Sequence, residues 1–119
     1  MISTRTHAMI DYLVGVLLIL APYILGFDDG GPAHLVPVVL GTATIIYSLL
    51  TNYELGIVRL IPMPVHLGLD AASGVLLLVS PWLFGFAGLI WWPHVFVGVA
   101  EIGVVLMTKG MPRRPVAGH

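Results

Sequence analysis

The sequence predicts an all-α membrane protein: four transmembrane helices arranged as a duplicated two-helix hairpin. Hydrophobic residues make up 58% of the 119-residue chain and charged residues only 9%, with a mean hydropathy of +1.00. Soluble domains carry about 25% charged residues, and a soluble chain of this size has nowhere to hide so much apolar surface. Four apolar stretches, about 8–27, 35–51, 64–86 and 90–108, approach the roughly 20 residues that a membrane helix needs. The second pair repeats the first.

The first span follows Arg5 and is leucine-rich, as a signal peptide is. Its apolar run is too long for one, Asp11 lies inside it, and no small-residue cleavage site precedes a hydrophilic region. The second span returns the chain. In the central segment from Asn52 to Met63, Gly56–Ile61 is apolar apart from Arg59, which suits a stretch lying along the inner interface, and Pro62 and Pro64 lead into the third span. The tail 110–119 is basic and contains Pro and Gly, and it is expected to be disordered. The whole reads as a single four-helix membrane domain over residues 1–119.

All five basic residues fall on one side of this arrangement. Arg5 precedes span one, Arg59 lies between spans two and three, and Lys109, Arg113 and Arg114 follow span four. The opposite loops hold Asp28, Asp29, His34 and His94. The positive-inside rule therefore puts both termini and the central loop in the cytoplasm, with the inner (plasma) membrane as the expected location. Tyr23, Trp82, Trp91 and Trp92 near the outer ends, and Tyr12, Tyr47 and Tyr53 near the inner ones, match interfacial aromatic belts.

The repeat is explicit. Shifted by 59 residues, His7–Phe27 aligns with His66–Phe86 at nine identities in 21 positions, including His7/His66, Asp11/Asp70, Gly15/Gly74, Pro22/Pro81, Gly26/Gly85 and Phe27/Phe86. Shifted by 57, Pro37–Thr51 aligns with His94–Thr108 and keeps Gly41/Gly98, Ala43/Ala100 and Thr51/Thr108. Repeat one covers about 7–51 and repeat two about 66–108. Two helices per repeat give both copies the same orientation, so a pseudo-twofold axis along the membrane normal is expected, with spans one and three facing each other across it.

Ser80-Pro81-Trp82 at the outer end of a helix, with a degenerate copy at Ala21-Pro22-Tyr23 in a duplicated hairpin, resembles the SPW-repeat integral membrane protein family over nearly the whole chain. The resemblance implies the four-helix membrane fold and carries no established activity. Ala21 and Tyr23 replace the serine and tryptophan of the motif, so a role requiring two serine hydroxyls is not implied.

The polar residues inside the spans are the candidate functional residues. His7 and Asp11, like His66 and Asp70, are four residues apart and share one helix face, and Gly15 and Gly74 extend each stripe as a surface for close helix approach. Each pair reads as a structural polar network, as a proton or ion relay, or as cofactor ligation in which the two histidines hold a haem iron. Glu101 lies mid-span where its repeat partner is Thr44. A carboxyl at that depth faces the bundle interior and either packs by hydrogen bonding or carries protons or cations. Pro22 and Pro81 free the carbonyls of Leu18 and Leu77, which Ser80 or Trp82 can reach. The outer-loop Asp28, Asp29, His34 and His94 fit an ordinary turn better than a metal site.

The absence of cysteine excludes disulfides, thiolate metal sites and thiol catalysis. A net charge of −1 argues against a nucleic-acid partner. No phosphate-binding glycine loop, metalloprotease motif or nucleophile elbow occurs. The expectation is therefore a non-enzymatic accessory, structural or assembly component with no metal or cofactor, partnered by the lipid bilayer and by a second copy or a larger membrane protein. A small transporter or proton-conducting unit using Glu101 and the His–Asp pairs is the alternative, and a haem- or quinone-binding subunit the third reading.

Overall fold

The computed structural model describes residues 3–51 and 55–108. Four helices follow in order: α1 (Thr4–Ile24), α2 (Pro32–Leu49), α3 (Met63–Leu83) and α4 (Trp92–Met107). Three are long and apolar enough to cross a membrane, and α4, with 16 residues, is a shorter apolar helix. Tyr53, Lys109, Arg113, Arg114 and the tail 110–119 lie outside the described residues.

The first helix starts four residues before the apolar run does. Ser3 caps it, its side chain accepting the Thr6 backbone N–H at 3.1 Å, so His7 and Asp11 are carried a full turn deeper than the start of the apolar stretch suggests. Proline opens the other helices, at Pro32, at Pro62–Pro64 and at Pro93, where its missing N–H costs nothing. At the far end of α1, Gly26 takes φ +78° and lets the Phe27 N–H return to the Pro22 carbonyl at 2.8 Å, a glycine-terminated helix end. Gly85 repeats this at φ +74°, with the Ala87 N–H reaching the Pro81 carbonyl.

Each hairpin is closed at a glycine crossing. A Cβ on Gly41 would stand 2.6 Å from the Gly15 carbonyl oxygen, and one on Gly98 would stand 2.6 Å from the Gly74 carbonyl oxygen. The backbones touch there, which only small residues permit. The hairpins α1–α2 and α3–α4 are the closely packed pairs, and α2–α3 and α1–α4 meet more sparingly. Between α2 and α3, the Leu49 carbonyl accepts the N–H groups of Ile57 and Val58, and the Leu50 carbonyl accepts those of Leu60 and Ile61. This ties the connecting segment to the helix end and leaves Ile57, Val58 and Leu60 exposed.

The interior inverts the soluble pattern. Among the described residues the buried apolar side chains are few (Ala8, Leu18, Phe27, Ala33, Met63, Leu77 and Phe86), whereas thirteen polar or charged residues are buried and long runs of Leu, Ile, Val, Phe and Trp face outward. Water does not solvate such an exterior, but lipid does, and satisfied polar groups then belong inside. The chain is a helical membrane protein.

Candidate functional site

The buried faces of α1 and α3 repeat at helical spacing. His7, Asp11, Gly15, Leu18 and Pro22 line one, and His66, Asp70, Gly74, Leu77 and Pro81 line the other. Where these faces meet, at the end of the bundle that also carries Arg5 and Arg59, the four ionisable residues form one cluster. Both imidazoles are fully buried.

Each histidine lies closest to the aspartate of the other repeat. His7 Nε2 is 2.6 Å from Asp70 Oδ2, and His66 Nε2 is 2.7 Å from Asp11 Oδ2. The contacts within each helix are longer, 3.2 Å for His7–Asp11 and 3.1 Å for His66–Asp70. The i,i+4 spacing thus puts each pair on one face, while the stronger contact crosses between hairpins. Each histidine contacts the aspartate of its own helix and, more closely, that of the other repeat. The two pairs meet in space.

The outer nitrogens are held from α2 and from the end of α4. Thr51 Oγ1 donates to the Tyr47 carbonyl at 2.6 Å and lies 2.6 Å from His66 Nδ1. Thr108 Oγ1 donates to the Val104 carbonyl at 2.6 Å and lies 2.8 Å from His7 Nδ1. A hydroxyl has one proton. With that proton given to a carbonyl, each threonine oxygen accepts from an Nδ1–H, which fixes both imidazoles with Nε2 toward the carboxylates. The contacts exchange under the repeat (7 with 66, 11 with 70, 51 with 108), so a twofold relation between the hairpins is written into the site. Tyr47 adds a further contact, its hydroxyl donating to Asp70 Oδ1.

Glu101 borders this cluster. It is 8% exposed, its Oε2 has no hydrogen-bond partner among the described residues, and it lines a cavity of about 40 Å³ together with Asp11, Asp70 and Val104. That space holds about one water molecule. The five residues singled out from the sequence as a polar network are therefore neighbours. The two imidazoles meet edge to face with ring centroids 5.5 Å apart, and each Nε2 faces carboxylate oxygens.

The Ser80-Pro81-Trp82 segment lies at the opposite end of α3. Ser80 Oγ donates to the Leu77 carbonyl freed by Pro81, at 2.8 Å, and Trp82 faces outward. In the first copy Pro22 is buried and Tyr23 faces outward, its hydroxyl accepting from His34 Nε2 at 3.1 Å while His34 Nδ1 accepts the Gly30 N–H. Asp29 Oδ1 accepts the Gly31 N–H, so these loop residues make a turn. His94 plugs this end, donating from Nε2 to the Ala33 carbonyl at 2.9 Å with its ring between Phe27 and Phe86.

Sequence reasoning missed Thr51, Thr108 and the hydroxyl of Tyr47. A signal for the threonines was present, since they are identical across the repeat. Tyr47 matched an interfacial aromatic, and nothing local to it announces a buried carboxylate 23 residues away.

A family model of the SPW repeat domain matches residues 5–108. No curated protein and no solved structure matches the chain. That match takes in all four helices, the His–Asp cluster and both copies of the outer motif, and the chain belongs to the SPW repeat family.

Proposed function

We propose that this protein is a non-enzymatic structural or accessory component of the inner (plasma) membrane, a rigid pair of braced hairpins that offers its apolar flanks to lipid and to a second copy or a larger membrane partner. The observation that carries this reading is the closure of the polar cluster. His7, Asp11, His66 and Asp70 bond to one another and to Thr51, Thr108 and Tyr47 inside the bundle, while beyond the glycine crossings Leu18, Leu77, Phe27 and Phe86 fill the interior. Such a core fixes how the hairpins sit on one another. The cytoplasmic placement of the cluster end is supported by Arg5 and Arg59. With no cysteine in the chain, single cysteines placed at His34 and at Arg59 test it directly: the first is expected to react with an impermeant thiol reagent in intact cells and the second is not.

Native mass spectrometry of the gently extracted protein tests the main reading, with a homo-oligomer or a stoichiometric polypeptide partner expected. One observation favours a second reading. Glu101 keeps a partnerless carboxyl oxygen beside a cavity that reaches Asp11 and Asp70, as a proton- or cation-carrying group in an oligomeric conductor does. Ion flux into proteoliposomes that is lost in Glu101→Gln, with the fold intact, selects that reading over the first.

A further inference from the structure

We propose that His7, Asp11, His66 and Asp70 bind one divalent first-row metal ion, for which Zn2+ is the best match. The inference rests on the bracing role given to this cluster above and names what does the bracing.

Four ligand atoms, one from each residue, lie within 4.8 Å of one another, and all four residues are buried. Two imidazole nitrogens and two carboxylate oxygens are a tetrahedral donor set of the type that zinc accepts, with bonds of about 2.0–2.2 Å. In a tetrahedron of that size neighbouring ligand atoms stand roughly 3.3 Å apart. The His–Asp contacts here are 2.6, 2.7, 3.1 and 3.2 Å, the 2.7 and 3.2 Å ones to different oxygens of Asp11, so the shortest pair opens by about 0.7 Å to admit the ion.

The orientation of the histidines points the same way. Thr51 and Thr108 spend their hydroxyl protons on main-chain carbonyls and accept Nδ1–H from the rings. Each Nε2 then faces two carboxylates. A bare lone pair pointed at carboxylate oxygens is repelled, so a cation must stand between them, either a proton on each ring or one metal ion shared by both. A ligating histidine whose far N–H is held by a fixed acceptor is the usual outer-sphere arrangement of zinc sites. Charge closes as well. Two carboxylates, two neutral imidazoles and one dication sum to zero, which a low-dielectric interior requires. Exchange of two ring protons for the ion releases two protons per metal bound.

A second, independent feature indicates how an ion arrives. The cavity beside the cluster is lined by Asp11, Asp70 and Glu101, and Glu101 is more than nine-tenths buried with Oε2 unpartnered. A carboxyl at the wall of a small space that opens onto the ligands is placed to escort a cation into them.

The test uses untagged full-length protein in detergent, with metal content measured as isolated, after stripping with a chelator, and on titration with ZnCl2 and CoCl2. About one zinc per chain, the visible d–d bands of four-coordinate cobalt, and a zinc X-ray absorption spectrum showing imidazole and oxygen but no sulfur are expected from the wild-type protein alone. His66→Ala is expected to abolish uptake, and Thr51→Val to weaken it about tenfold or more by freeing the ring. Stripped wild-type protein that keeps its helical circular dichroism yet takes up neither ion overturns the proposal, as does a zinc signal without imidazole. The bracing reading fails separately, if His66→Ala unfolds at the wild-type temperature. A lower unfolding temperature in a protein that binds no metal leaves bracing in place with protons in the ring positions, and removes the metal.

Discussion

On one flank of the His–Asp cluster α2 and the residues just after it present Tyr47 and Thr51 to the α3 residues; on the other, α4 and its end present the repeat-matched Val104 and Thr108, with Glu101 beside them, to the α1 residues. The lower rung is the same on both sides: a threonine bonded to its own helix orients a histidine. The upper rung differs. Tyr47 reaches across and donates to Asp70, whereas its repeat counterpart Val104 has no hydroxyl and lines a small cavity together with Asp11 and Glu101. Duplication produced two equal flanks, and what has stayed equal is the orientation of the imidazoles, while the partner of the carboxylate has been free to diverge.

The largest expected effect tests the shared rung. His7→Ala and His66→Ala each leave two carboxylates facing a single imidazole in the bundle interior. Removing one partner of a buried charged set costs about 3–5 kcal/mol, and equivalence of the flanks predicts nearly equal losses in a thermal or SDS unfolding titration. A large loss for one histidine and a small one for the other breaks the equivalence.

Next come the glycine crossings, where the two hairpins are alike in principle and differ in detail. A Cβ at Gly98 meets main-chain atoms throughout, the Gly74 oxygen at 2.6 Å and the Leu78 nitrogen at 2.8 Å, while a Cβ at Gly41 meets the Gly15 oxygen at 2.6 Å but then the Leu18 Cβ and the Ile19 side chain. The Ile19 side chain can turn away, whereas main-chain atoms, and the Leu18 Cβ fixed to its own backbone, cannot. Gly98→Ala is therefore expected to destabilise by about 3 kcal/mol and Gly41→Ala by about 2 kcal/mol, read in the same unfolding assay. The reverse order means that the α3–α4 hairpin separates more readily than its backbone contacts imply.

Much of this architecture is legible in the sequence, and the boundary of legibility has a physical cause. Hydropathy reports the lipid-facing surface of each helix, so the four spans and their pairing follow from it, as does the repeat that carries His7 onto His66. The start of α1 was not legible, because Ser3 and Thr4 are polar and a hydropathy window ends where the apolar run ends, although Ser3 is a good cap. The cross-pairing of His7 with Asp70 was not legible either. Spacing reveals which residues share a face, and only packing reveals which face lies opposite. Thr51 and Thr108 were visible as identities and silent as to role, since threonine in a membrane helix most often bonds its own preceding turn, as both do here while also serving the histidines.

A smaller effect isolates the divergent rung. Tyr47→Phe removes the hydroxyl from Asp70 and keeps the ring against His66, whose centroid lies 5.0 Å away. A hydrogen bond to a charged group contributes about 1.5 kcal/mol or somewhat more, so a loss of that order is expected in the unfolding titration. A variant as stable as the wild type means that Asp70 is sufficiently held by the two imidazoles alone, and that the Tyr47 flank, like the Val104 flank, places no demand on its carboxylate.

The smallest effect is expected at Glu101, and it bears most directly on what the unequal rung is for. Gln is isosteric with Glu, and its amide can keep whatever packing the side chain makes over Gly74, whose added Cβ would lie 3.2 Å from the Glu101 Cβ. Because Oε2 makes no hydrogen bond, replacing it with an amide nitrogen removes no existing contact. Polar contacts between membrane helices average about 0.6 kcal/mol, and Glu101→Gln should shift unfolding by less than about 1 kcal/mol. Stability being unmoved, any change in behaviour belongs to the acid itself. If oligomerisation or partner retention is also unmoved and proteoliposomes carry no Glu101-dependent flux, the second flank is a relaxed copy of the first, tolerated because lipid and neighbouring helices keep water out. If flux is present in the wild type and absent in the variant, then the space beside Val104 serves a working carboxyl, and the second repeat carries a function that the first lacks.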